Sequence, residues 1–307
     1  MNLFASLTAF VAVVESGGFA KAARKAGQAT SSLTRQVDAL EGHLGVQLLN
    51  RSTRRVSLTP AGESYYRQVL PVLADLAEAN RSVCEAEGTP RGSLRVSLPV
   101  AFARLHVAPA LGDFLRAYPE IVLDLTMTDS LVDLVEERLD LAIRLGALES
   151  SSLIARKLAP HRRVVCASPD YLAARGRPAR PEDLVAHNCL KLAQGGGEGA
   201  WRFSGPRGGC VVAVKGSLRA DNAEVLREAA LCAAGIVLLP TWLVGKDLRA
   251  GRLELLLGDW EAGHSAREGG VHAVYLPSRR GSPKVAAFVG FLGDRFGSPP
   301  YWEPEAA

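Results

Sequence analysis

Arg51, Arg54 and Arg55 fall within five residues, in a stretch, "NRSTRRVSLT" (50–59), that reads as two short strands around a basic tip. Guanidinium groups at that spacing on a hairpin suit the oxygens of a polyanion, phosphate above all. Just upstream, Thr30, Ser31, Ser32, Thr34 and Arg35 lie on a segment whose apolar residues Leu33, Val37, Leu40 and Leu44 recur at helical spacing. On a wheel of about 100° per residue, Ser31 and Arg35 fall opposite that stripe and face outward, where an arginine can reach a base edge. Gln36 sits close to the stripe, at its boundary. Charge follows the same map. The chain carries a net +4, and residues 1–60 hold seven bases against three acids, so the whole excess sits near the N-terminus. A small basic domain joined to a large neutral one points to a polyanion partner, and base-edge contacts from the outward helix face would make that partner double-stranded DNA.

Other groups able to do chemistry lack companions. "GGGEGAW" (195–201) is rich in glycine but is not followed by the Gly-Lys-Ser/Thr of a phosphate loop. His187 and Cys189 are two apart, with no recognisable third member for a nucleophile-base pair. The five cysteines (Cys84, Cys166, Cys189, Cys210 and Cys232) are scattered and form no CxxC pair. That pattern suits a reducing cytoplasm better than a disulfide framework or a zinc site. No metal, cofactor or catalytic set is expected. The first residues lack a basic leader region and Glu15 interrupts their apolar run, so neither a signal peptide nor a membrane anchor is expected.

The elements that must position these groups can be read along the chain. Leu3, Leu7, Phe10 and Val14 give a first amphipathic helix ending at "SGGF". A short second helix runs from Phe19 to Ala26, and its Ala20, Ala22, Ala23 and Ala26 allow close approach of another helix. The third spans about 31–44. Helix, short helix, turn, helix is a helix-turn-helix, and the basic hairpin after it is a wing. Thr59 caps a long helix with Pro60 in its first position and Glu63 in its first turn. Along it Tyr66, Val69, Leu73, Leu76, Asn80 and Val83 step by alternating threes and fours, a heptad seam. That seam is either an interface between copies or packing of the helix onto its own domain, and Pro71 within it predicts a kink. A Gly/Pro linker, "EGTPRG" (87–92), follows. Beyond it, apolar strands at 93–98, 121–127, 141–145, 163–167, 235–240 and 271–276 alternate with helical patterns, an α/β arrangement with largely parallel sheets. The tail "SPPYWEPEAA" reads as poorly ordered.

The stretch "FVAVVESGGFAKAARKAGQATSSLTRQVDALEGHLGVQLLNRSTRRVSLTPAGESYY" (10–66), followed in order by "YPEIVLDL", "LDLAIRLG", "ASPDYLAARGRP", "EDLVAHNCL" and "AAGIVLLP", resembles the LysR-type transcriptional regulators over nearly the whole chain. The resemblance implies a winged helix-turn-helix over 1–59, a dimerising linker helix over 60–88, and an effector-binding domain over 89–299. That domain has two α/β lobes like periplasmic binding proteins, lobe I at about 92–161 and 265–299 and lobe II at about 162–264. It further implies a sequence-specific DNA-binding regulator, a homodimer or homotetramer, controlled by a small molecule. The chain departs from the pattern where a Ser-Gln pair commonly opens the recognition helix; here the residues are Ala29-Thr30. The competing class is a small-molecule-binding protein or enzyme with an accessory helical domain. An enzyme requires a convergent acid, base or metal set that the sequence does not offer.

Ligands of open α/β lobes bind outside the carboxyl ends of strands. Here those ends are Ser97-Leu98-Pro99-Val100, Thr128-Asp129 and Arg144-Leu145-Gly146. Ser97 and Thr128 can donate to a carboxylate and Arg144 can add charge, which suggests a small anionic effector; alternatively, Arg144 forms an ion pair with Asp140. Phe102 either walls the pocket or fills core. Asn222, opening "NAEVLREAALCAAG", is a helix N-cap, a ligand contact, or both.

Overall fold

The computed structural model describes residues 2–51, 56–84, 89–193, 200–205, 208–264 and 269–304. The wing tip with Arg54 and Arg55, most of the "GGGEGAW" stretch and part of the interdomain linker lie outside the described residues, as do the side chains of Arg51, Pro71, Asn80 and Val83. The chain divides into two units, residues 1–88 and 89–307.

The first unit runs α1 (Leu3–Ser16), α2 (Phe19–Ala26), α3 (Thr30–Leu44), β1 (Leu49–Arg51), β2 (Val56–Leu58) and α4 (Pro60–Cys84). Its core gathers Phe10 and Val13 of α1, Ala22 and Ala23 of α2, Leu33, Val37 and Leu40 of α3, and Val69 of α4. The inward face of α1 is Ser6, Ala9, Phe10 and Val13, while Leu3 is exposed and Leu7 and Val14 are half-buried. Two of the four α2 alanines, Ala20 and Ala26, face solvent, so only Ala22 and Ala23 admit the neighbouring helices. Leu44, the last residue of α3, is exposed as well.

The corner from α3 into the hairpin is tied by Glu41, whose carboxylate accepts from the backbone N–H of Leu48 (2.7 Å) and of Leu49 (3.0 Å). Thr59 caps α4 by accepting from Gly62 N–H at 2.9 Å and donates its hydroxyl to the Gln47 carbonyl at 2.8 Å. A Cβ on Gly62 would sit 1.9 Å from the Leu48 carbonyl oxygen, so "LTPAG" ends in glycine because backbone passes against backbone there. The seam of α4 divides. Tyr66, Val69 and Leu73 pack on the unit's own core, whereas Leu76 is 42% exposed.

The second unit runs β3 (Gly92–Leu98), α5 (Val100–Phe102), α6 (Leu111–Ala117), β4 (Ile121–Met127), β5 (Leu141–Gly146), β6 (Ile154–Pro160), β7 (Arg163–Ala167), α7 (Pro169–Arg175) and β8 (Cys189–Leu192). It continues with β9 (Ala200–Gly205), β10 (Gly208–Ala213), β11 (Arg219–Ala220), α8 (Ala223–Leu231), β12 (Ile236–Pro240), α9 (Thr241–Arg249), β13 (Glu254–Leu256), β14 (Glu261–Gly263), β15 (Gly270–Tyr275) and α10 (Pro283–Phe296). One lobe carries the sheet β4-β3-β5-β15-β6, the other β10-β9-β14-β7-β12-β8-β11 with β13 also on β7. The expectation of largely parallel sheets fails. β3 pairs parallel with β4 and β5, and β8 with β11 and β12, but the remaining pairs are antiparallel. The chain crosses between lobes from β6 to β7 and returns between β14 and β15, entering each sheet against its neighbours' direction.

The lobes share apolar core. One buried cluster joins Val96, Leu141, Phe288 and Phe296 of the first lobe to Cys166, Val237 and Trp242 of the second. The C-terminal segment belongs to it, contrary to its reading as disordered. Trp302 is 2% exposed, packs edge-on against Phe102 and Phe296, and its carbonyl oxygen would lie 2.1 Å from a Cβ on Gly245. Tyr301 donates its hydroxyl to His106 Nδ1 (2.7 Å), and Thr241 donates to Glu303 (2.6 Å). Composition alone, rich in proline and glutamate, conceals the one tryptophan that anchors this tail.

Candidate functional site

α3 begins at Thr30 with Ala29 as its N-cap, which makes no side-chain cap bond. Leu33, Val37 and Leu40 turn inward, leaving Thr30, Ser31 and Arg35 exposed and Ser32, Thr34 and Gln36 half-buried beside them. Thr34 donates its hydroxyl to the Thr30 carbonyl (2.9 Å), and Arg35 Nε donates to the Ser31 carbonyl (3.3 Å). Among the described residues no carboxylate pairs with Arg35, so its guanidinium keeps free N–H groups for an external acceptor. The antiparallel hairpin β1–β2, Leu49 opposite Leu58, carries the basic wing; its arginine side chains lie outside the described residues.

In the second unit the strand ends do converge. β3 and β4 pair in parallel, and the Thr128 N–H donates to the Leu98 carbonyl at 3.0 Å. By the alternation of strands, Ser97, Thr126 and Thr128 share one face with Ala142 and Arg144, opposite the face where Val96, Leu98, Leu141 and Ile143 make core. His272 of β15 stands opposite Arg144 and joins that face, a group that no motif or spacing singled out. Ser97 is 3% exposed, Leu98 is core, and Pro99 and Val100 begin the short helix α5. Phe102 fills core against Trp242, Phe296 and Trp302 and is not a pocket wall.

Two expectations about charge change. The Val100 N–H, at the strand end expected to meet an anionic effector, donates to the Asp129 carboxylate at 3.1 Å, so this helix start already faces a negative group. Arg144 donates to the Val132 carbonyl at 3.2 Å, and Asp140 is taken by Arg279 (3.3 Å), Lys284 (3.6 Å) and the Arg95 N–H (3.0 Å). The proposed Arg144–Asp140 pair is therefore replaced by other partners on both sides. In the other lobe Asn222 caps α8, its side-chain oxygen accepting from Glu224 N–H (2.8 Å) and Val225 N–H (3.2 Å). Glu224 pairs with Arg104 of the first lobe, which sets the start of α8 against that lobe.

The nucleophile reading loses its geometry. His187 shares a hydrogen bond with the Tyr171 hydroxyl (3.3 Å) and lines a surface hollow of about 490 Å³ with Arg175 and Lys215. Cys189 is buried, points its thiol at the Leu184 carbonyl, and is pushed up to about 12 by burial; Cys166 is likewise pushed to about 12. Such thiols are poor nucleophiles and slow to oxidise. Among the described residues no cluster of His, Cys, Asp or Glu could hold a metal, and no single helix is long and apolar enough to cross a membrane.

A three-helix head with an exposed polar face on its third helix and a hairpin wing, joined to a two-lobed α/β domain, defines a ligand-responsive DNA-binding regulator. Residues 4–63 match the bacterial regulatory helix-turn-helix proteins of the lysR family, and residues 87–297 match the LysR substrate binding domain. The chain is 35% identical over 292 residues to the HTH-type transcriptional regulator CrgA of Neisseria meningitidis, covering 95% of this chain and 96% of that one. It is also 35% identical over 295 residues to PtxR of Pseudomonas aeruginosa, covering 96% and 93%. The solved structure of CrgA superposes with a TM-score of 0.61 over 95% of this chain and 98% of its own. Full-length AphB of Vibrio cholerae, 30% identical, gives 0.58 over 94% and 97%. The chain belongs to the LysR family of transcriptional regulators. It is a DNA-binding regulator with an effector-binding domain, not an enzyme.

Proposed function

We propose that α3 reads operator sequence through Thr30, Ser31, Ser32, Thr34, Arg35 and Gln36, while Arg51, Arg54 and Arg55 of the wing hold backbone phosphate. A small-molecule effector contacts Ser97, Thr128 and Arg144 in one lobe and the Asn222 region in the other. Residues 1–59 form the DNA-binding domain, 60–88 the linker helix and 89–299 the effector domain of a cytoplasmic homodimer or homotetramer. Effector binding favours one lobe arrangement, and through subunit packing one spacing of the paired DNA-reading heads. The observation that carries this reading is Arg35, exposed opposite the buried Leu33–Val37–Leu40 stripe with no acidic partner among the described residues.

The test measures affinity for operator and scrambled duplex across a salt series. Arg35→Ala should cost about 1–3 kcal/mol on operator and little on scrambled DNA, because a base contact is lost. Arg54→Ala should weaken both duplexes alike and reduce the salt slope by about one. Equal weakening by Arg35→Ala on both duplexes would remove α3 from the recognition role. The exposed Leu76 supports an interface between copies on the later turns of α4. Leu76→Glu should then lower the assembly size in sedimentation without unfolding the first unit, and unchanged size would place the interface elsewhere.

A further inference from the structure

The segments that connect the lobes bring together basic side chains that the sequence spacing does not announce. Arg163 opens β7 opposite Ala262 of β14, and His264, two residues beyond Ala262, returns to the same face of the strand pair. His161, two residues before Arg163, lies against Trp242, whose indole N–H donates to its Nδ1 at 3.2 Å. Among the described residues, the buried Arg163 Nε and His264 Nε2 have no hydrogen-bond partner, and no carboxylate pairs with the guanidinium. Buried polar groups are nearly always satisfied, and a desolvated guanidinium without a counter-charge is costly, so two such atoms on one face require an explanation. Burial depresses Arg163, and burial together with Arg163 holds His264 down at about 4, as expected of cationic sites lacking an anion. Each residue keeps part of its surface exposed although these nitrogens are buried.

We propose that this junction is a binding site for a small oxyanion, with the Arg163 guanidinium as a forked donor and His264, in its Nε2–H tautomer, as a further one. The inference rests on reading the second unit as an effector domain and specifies the chemical class of its ligand, a carboxylate or phosphate group held at the hinge. It also relieves a difficulty at the strand ends, where Asp129 already occupies the α5 N-terminus and disfavours a second negative charge. A guanidinium fork matches an oxyanion through paired N–H groups, and an anion there would touch both lobe connections at once.

The experiment is thermal unfolding of the full-length protein at constant ionic strength, with chloride as reference and sodium acetate, sodium succinate or inorganic phosphate as probes. Acetate and succinate report a carboxylate ligand and phosphate a phosphoryl group. At least one probe should raise the midpoint by several degrees, and Arg163→Met should abolish that rise. In chloride, Arg163→Met should unfold at or above the wild-type temperature, because an uncompensated buried charge has been replaced by a side chain of similar length. If Arg163→Met proves insoluble, Arg163→Lys keeps the charge but loses the fork and should bind the same probe about tenfold more weakly. Three outcomes overturn the proposal: no anion-specific rise in wild type, an equal rise in Arg163→Met or undiminished affinity in Arg163→Lys, or an Arg163→Met midpoint in chloride several degrees below wild type. Operator affinity recorded with and without the probe separates the two ideas. An Arg163-dependent midpoint shift that leaves operator binding unchanged supports the anion site while counting against the effector reading.

Discussion

In the helix-turn-helix unit, the side chains assigned to function stand in solvent: Ser31 and Arg35 project from α3 with their partners limited to the turn below them. In the effector unit the corresponding groups are drawn into the protein, where Ser97 is buried, Thr128 accepts from the Ser130 N–H, Asp129 caps α5 and Asn222 caps α8. A surface that meets a rigid polyanion keeps its donors free and pays little to form. Polar atoms drawn inside a folded domain must be satisfied, so most are partnered internally, and exceptions among the described residues, such as Arg163 and His264, become informative. The two units also differ in what holds them. The first relies on local helix packing, while the second joins its lobes through one shared core pinned by a C-terminal tryptophan.

The largest expected effect tests that last contrast. Trp302→Ala removes the indole from between Phe102, Phe296 and His106 and should destabilise the effector unit by about 3–5 kcal/mol. Denaturant unfolding should show an early transition of the second unit, with operator binding by the first retained at low denaturant. A loss under about 1 kcal/mol would mean that the tail decorates the core and does not complete it.

A second effect follows from histidines. His106 and His264 are held at about 4 and His161 at about 3, chiefly by burial, against an ordinary value of 6.5. Between those values the unfolded chain binds more protons than the folded one, so stability rises with pH through that window. It is fully present above about pH 6.5 and falls away toward pH 4. Unfolding free energy measured from pH 7.5 to 4 should decline steadily, and His106→Gln should flatten part of the decline. A pH-independent profile over that range would show that these imidazoles protonate without opening the fold.

The smallest effect concerns Arg104 and Glu224, which pair across the lobes with Arg104 60% and Glu224 26% exposed. Solvent screening limits such a pair to about 0–1 kcal/mol, so Arg104→Ala should barely move the unfolding midpoint. Its consequence belongs to lobe geometry, and small-angle scattering of the variant should show a more open second unit. A change of 3 kcal/mol or more would reveal a sealed contact and make the two lobes a single rigid body.

Residue order alone determined the helix-turn-helix, because each of its helices carries its own apolar period and its own stop, and the basic excess marks the face left outside. It also determined strands such as 163–167, whose apolar run is buried on both faces, and 121–127, whose inward-facing apolar residues alternate with exposed ones. The short strands β9, β10, β13 and β14 escaped notice, since three to six residues with mixed polarity carry little periodic signal. Strand direction, the docking of Trp302, the Asp129 cap and the meeting of Arg163 with His264 were decided only in the folded chain. Each joins residues far apart in sequence, and such contacts depend on how two lobes built from interleaved segments close on one core, which no local pattern of side chains encodes.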